Sequence, residues 1–88
     1  MNVRKIIGWN LRKLRVERGL SQERLALAAE IDRSYVGRVE RGSENVTIDT
    51  LDAFAAVLGV SAAELLIEPP KGARVPSPLS AGRKPKAG

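Results

Sequence analysis

The sequence predicts an all-α fold, a bundle of five short helices joined by tight connections. Three observations carry that prediction. Apolar residues recur at spacings of three and four, as on one face of a helix. Residues that favour helix starts (Ser21, Asp32, Thr47, Ser61) and residues that favour helix stops (Gly19, Gly42, Gly59) punctuate the chain. No stretch alternates apolar and polar residues as a half-buried strand would.

The first helix is expected from about Val3 to Arg18, where Val3, Ile7, Leu11 and Leu14 build one apolar face. Gly19 ends it, at the position where a left-handed residue is favoured. Ser21 caps a second helix that carries Leu25, Ala26 and Ala29 inward, and the break falls at Glu30-Ile31. Asp32 caps the third, whose core stripe is Val36, Val39 and the aliphatic stem of Glu40, and Gly42 stops it. Ser43 to Val46 read as a loop. Thr47 caps the fourth helix, with Ile48, Leu51, Phe54, Ala55 and Leu58 inward and Gly59 closing it. Ser61 and Glu64 have the spacing of a capping box for a short fifth helix, Ala62 to Ile67, ended by Pro69-Pro70.

The chain has 88 residues, enough for one small domain. Residues 1–68 are expected to fold and residues 69–88 to form a Pro-rich basic disordered tail. All five prolines lie in that tail, and Val75 and Leu79 are its only sizeable apolar residues. A core this small rarely supplies more than about 3–5 kcal/mol, so a dimer interface would help.

Charge is unevenly spread. Through Arg41, ten basic residues face five acids; residues 42–68 hold five acids and no base; the tail holds five bases and no acid. A basic face on a neutral-to-acidic body is the footprint of a polyanion binder, while a net charge of +5 alone also fits an ordinary solvated surface. There is no Cys and no His. That removes thiol chemistry, disulfides and the usual zinc sites, and leaves any serine nucleophile without an imidazole base. No catalytic residue, metal or cofactor is therefore expected. No apolar run approaches the roughly 18 residues of a membrane span, so a soluble cytoplasmic protein is expected.

The stretch Leu20 to Gly42 is the most informative. Val36, Val39 and Glu40 cluster on one side of the third helix; Ser34, Gly37, Arg38 and Arg41 lie opposite, with Arg33 and Tyr35 on the flanks. Gly37 costs about 1 kcal/mol relative to Ala inside a helix, which suggests that another surface approaches the backbone there. The arginine fork suits the O6/N7 edge of guanine.

Helix 1 followed by Leu20-Ser21-Gln22, Leu25-Ala26, Arg33-Ser34-Tyr35-Val36 and Glu40-Arg41-Gly42 resembles the phage-repressor and Cro-like (XRE) helix-turn-helix family, over Ile7 to about Leu66. Asp32 to Val36 together with Asn45-Val46-Thr47 is also similar to the controller proteins of restriction–modification systems. The resemblance implies a lambda-repressor-like bundle that binds a double-stranded DNA operator as a homodimer. It implies base reading by Arg33, Ser34, Tyr35 and Arg38, and phosphate contacts from Gln22, Arg41, Ser43, Asn45 and Thr47. It implies a structural ion pair between Arg15 and Glu40, whose loss on Glu40→Ala would cost about 3 kcal/mol if buried. Dimerisation is expected through Val57, Val60, Leu65, Leu66 and Ile67. Repression would follow from blocking polymerase; activation would require a contact with RNA polymerase, through the face bearing Glu23 and Leu27. A protein-interaction module, such as an antitoxin with a partner-binding tail, is the alternative. Two residues depart from the family pattern. Glu30 stands in the turn where a residue tolerant of positive φ is usual, and Leu27 stands on the outer side of the second helix.

Overall fold

The computed structural model describes residues 2–74, which form four α-helices and a closing 3₁₀ turn, without strands among the described residues. α1 spans Val3–Glu17, α2 Gln22–Ala29, α3 Arg33–Glu40 and α4 Ile48–Leu58; the 3₁₀ turn spans Ala62–Leu66. The expected fifth α-helix is thus replaced by a tighter turn. A piece of five residues is of the length at which 3₁₀ geometry, with its i→i+3 bonds, is common. The Ser61 side chain makes no capping bond, so the capping box with Glu64 does not form; only the Glu64 N–H donates to the Ser61 carbonyl, at 3.0 Å.

Helix starts follow the sequence with one exception. Ser21 and Thr47 accept the N–H of Arg24 and Thr50 at 3.0 and 3.1 Å, and Asn2 caps α1 in the same way through Lys5. Asp32 occupies the capping position of α3 but makes no side-chain cap bond; its carboxylate accepts the Ser34 hydroxyl instead.

Helix ends share one device. The N–H of a left-handed residue returns to the carbonyl three residues earlier, and the next N–H reaches one five residues back. Gly19, Gly42 and Gly59 fill that position after α1, α3 and α4. After α2 the residue is Glu30, at φ 59° and ψ 45°, the one non-glycine residue with positive φ among those described. Its N–H meets the Leu27 carbonyl at 3.2 Å, and the Ile31 N–H meets that of Ala26 at 2.9 Å.

The core joins Ile7, Leu11 and Leu14 of α1 to Leu25 and Ala26 of α2, Val36 and Val39 of α3, and Leu51, Phe54, Ala55 and Leu58 of α4, with Leu65 closing it. Two expected core residues are outside it: Val3 is 57% exposed and Ile48 78%. Each is the first residue of its helix, ahead of the turn that meets the bundle. Ile6, absent from the expected face, is buried.

Three contacts fix how the elements meet. At Gly8, α1 presses against the end of α3 so closely that a Cβ would lie 2.4 Å from the Val39 carbonyl oxygen and 2.8 Å from that of Glu40. Buried Asn10 donates through Nδ2 to the carbonyls of Leu65 and Ile67, at 3.1 and 2.8 Å, tying the 3₁₀ turn to α1. Arg18 Nε donates to the Leu58 carbonyl at 2.6 Å, satisfying the end of α4. After the domain, Ala73 N–H closes a turn on the Pro70 carbonyl at 2.9 Å. The remainder of the expected tail, residues 75–88, lies outside the described residues. No helix among the described residues is long and apolar enough to cross a membrane.

Candidate nucleic-acid interface

α3 is held from beneath by a buried polar network. Arg15 meets Glu40 in a bidentate pair, Nε to Oε2 at 2.6 Å and Nη2 to Oε1 at 2.9 Å. The two side chains are 2% and 1% exposed. The third guanidinium nitrogen of Arg15, Nη1, donates to the Leu20 carbonyl at 2.9 Å, at the start of the chain leading into α2. Gln22 Nε2 donates to Glu40 Oε1 at 3.0 Å. Arg12 Nε lies 3.5 Å from the same oxygen, buried and without a hydrogen bond. The carboxylate on the inner side of α3 therefore gathers groups from α1 and α2 at once. Charged groups taken out of water need such partners, and a bidentate Arg–carboxylate fork fixes direction as well as distance. The network sets the rotation of α3 and so decides which face it presents.

That face carries Arg33, Ser34 and Arg38, all exposed, and Tyr35, half-buried against the core. Ser34, Tyr35 and Arg38 are brought together, while Arg33 stands apart and makes no hydrogen bond or ion pair with them. The Arg38 guanidinium lies over the Tyr35 ring, 5.7 Å from its centroid. Its Nη1 is 3.5 Å from the Ser34 hydroxyl, and its Nε donates to Glu44 Oε1 at 2.8 Å. Glu44 holds the Arg38 pKa above its ordinary value, chiefly by accepting that hydrogen bond. The Ser34 hydroxyl, donating to Asp32, lowers that carboxyl's pKa.

The other expected contact residues have local partners or stand free of the core. Gln22 is engaged with Glu40, as above. Ser43 is exposed, and its hydroxyl donates to the Arg38 carbonyl at 3.1 Å. Arg41, Asn45 and Thr47 are exposed, Thr47 serving as the cap of α4. Gly37 departs from its expected placement on an open face: it is buried. A Cβ built there would lie 3.5 Å from Arg41 Nη1 and 3.8 Å from Gln22 Oε1, so the ends of two long side chains cover it.

The expected pairing surface divides. Leu65 is wholly in the core and is withdrawn from that surface, because the 3₁₀ turn aims it between α1 and α4. Val57 and Val60 are half-buried against the core. Leu66 and Ile67 are 46% and 59% exposed, and Ile67 borders an open groove with Trp9, Leu14, Pro69 and Pro70. Leu27, on the outer side of α2, is 74% exposed.

Three functional or supporting residues had no place in the sequence reading. Arg12 stands three positions before Arg15, on the same helix face, and that spacing is a signal that could have found it. Asn10 carries no signal beyond being polar next to the apolar stripe. Glu44 reaches Arg38 only because the turn at Gly42 (φ 76°) brings the loop back beside α3.

The family model described as Helix-turn-helix (HTH_3) matches residues 11–65. A hypothetical transcription factor of Neisseria meningitidis serogroup B is 41% identical over 68 residues, covering 77% of this chain and 64% of that relative's length. The crystal structure of the restriction–modification controller protein C.AhdI from Aeromonas hydrophila superposes with a TM-score of 0.69 at 45% identity, covering 70% of this chain and 94% of that one. SinR, a master regulator for biofilm formation solved in complex with DNA, superposes with a TM-score of 0.67 at 37% identity, covering 69% and 98%. The matched span runs from Leu11 through Leu65, which takes in the Arg15–Glu40 pair and every element except the first turns of α1 and the last residue of the 3₁₀ turn. The chain belongs to the XRE-type helix-turn-helix family of DNA-binding transcriptional regulators.

Proposed function

We propose that this chain regulates transcription by binding a palindromic double-stranded DNA operator as a homodimer, with α3 in the major groove. The observation that carries the proposal is the exposed face of α3, bearing Arg33, Ser34 and Arg38, held in a set rotation by the buried Arg15–Glu40 pair. Arg41, Asn45, Ser43 and Thr47 sit where phosphate contacts would set register, leaving Arg33, Ser34, Tyr35 and Arg38 to read base edges. Gln22 and Arg41 are the side chains that cover Gly37. Swinging both outward to phosphates would bare the backbone at Gly37 as DNA approaches. One short helix reads only a few base pairs, so a two-fold pair reading half-sites about one helical turn apart is the economical arrangement. The exposed Leu66 and Ile67 supply the apolar surface for it. The likeness to the restriction–modification controller protein C.AhdI favours a regulator of this kind, and a chain bound to DNA would act in the nucleoid. Any contact with RNA polymerase would go through the outer face of α2.

Binding to duplex DNA at increasing salt tests this reading. Affinity should fall linearly on a log–log plot, with a slope of about −0.9 per phosphate neutralised. An affinity indifferent to salt would contradict it.

A further inference from the structure

We propose that Glu44 is a specificity-determining positioning residue, which holds the Arg38 guanidinium at a set angle toward one base pair of each half-site. The inference rests on the DNA reading above. Glu44 lies outside α3, in the loop after Gly42, and its carboxylate pairs with Arg38. Its Oε1 takes the Nε proton at 2.8 Å. With Nε occupied, a guanidinium can approach a guanine only through its terminal Nη groups, whose paired N–H bonds match O6 and N7. The ring of Tyr35, 5.7 Å from the guanidinium carbon, and the Ser34 hydroxyl, 3.5 Å from Nη1, bound the same side chain from two other directions. Arg side chains are flexible, and an arginine that keeps one orientation discriminates between bases better than one that turns freely toward phosphates.

The chemistry also explains why an acid is placed here. A carboxylate next to a DNA surface repels phosphate, so it lowers affinity for any duplex. It gains specificity only where Arg38 meets a base, because the nearby phosphates are then kept from competing for the guanidinium. Arg38 is exposed and Glu44 half-buried, with side chains 44% and 26% accessible, and a pair this open to water contributes little, so its removal should leave folding nearly unchanged.

The test uses the full chain. An operator is first selected by the wild-type protein from a random duplex pool. Wild type, Glu44→Ala, Arg38→Ala and the double variant are then titrated against that operator and against duplexes changed at each base pair in turn. Thermal melting checks that all four are folded. Arg38→Ala identifies the position that Arg38 reads. At that position Glu44→Ala should lower discrimination about fivefold or more, and at other positions by less than about twofold. Binding to nonspecific duplex should tighten. The double variant should discriminate no worse than Arg38→Ala alone. Unchanged discrimination in Glu44→Ala, or a loss of the same size in the Arg38→Ala background, would overturn the proposal while leaving the DNA reading intact. A wild-type protein that enriches no sequence would overturn both.

Discussion

Arg15 on α1 and Glu40 on α3 close a two-point ion pair, 2.6 and 2.9 Å, with both side chains almost wholly out of water. The pair links the helix that begins the domain to the helix that presents the reading face. Its other partners, Gln22 and Arg12, extend it to α2 and along α1. A single carboxylate therefore serves as the joint of the helix-turn-helix.

Glu40→Ala should cost at least about 3 kcal/mol, because it leaves two arginines and a glutamine facing one another without the acceptor they share. In a domain of this size that is a fall of more than about 12 °C in Tm. Replacing Arg15 and Glu40 together by methionine should recover much of the loss, since apolar residues of similar volume often stand in for a buried pair. A Glu40→Ala protein that melts with wild type would refute the structural role of the pair.

The two helical glycines of α1 and α3 should respond oppositely to alanine. At Gly8 the new Cβ would strike two backbone carbonyls, which cannot move without parting α1 from α3. That overpacking outweighs the better helix propensity, and stability should drop by about 1–3 kcal/mol. At Gly37 the Cβ would meet only side-chain ends at ordinary contact distance, so Gly37→Ala should stabilise by up to about 1 kcal/mol. Chemical denaturation of both variants decides the matter, and equal effects would contradict the packing described.

Glu30→Gly should raise stability by about 1 kcal/mol, the strain of holding an L side chain in the left-handed region. Glu30 is exposed and its side chain makes no hydrogen bond or ion pair that would be lost. A denaturation midpoint unmoved or lowered would mean that the turn carries no such strain.

Much of this architecture is legible in the residues. The periodic apolar positions, the Ser21 and Thr47 caps and the glycine stops mark helix bounds through local physics, and local physics is what a sequence displays. Val3 and Ile48 fit the same period yet face water, because a helix's first turn can lie ahead of its packing partner. Leu65 and Leu66 are neighbours of one type, and only the tight 3₁₀ geometry sends the first to the core and the second outward. At the site, Arg33, Ser34 and Arg38 were legible as a face of α3. The Arg38–Glu44 pair was not, since it depends on the path of a loop that has no period. Gly37 does lie on the side of α3 that carries Arg38 and Arg41, yet its cover is not legible, because the reach of Gln22 and Arg41 over it is a matter of rotamers.

In the proposed complex α3 reads sequence through Arg38 and its neighbours, in a two-fold pair. Selection from a random duplex pool, run in parallel with the wild-type chain and with a folded Arg38→Ala variant, tests it most directly. The wild type should enrich a palindrome whose half-sites lie about one helical turn apart, and Arg38→Ala should lose the preferred base at one position of each half. No enrichment by the wild type, an asymmetric site, or identical sites from the two proteins would contradict the account.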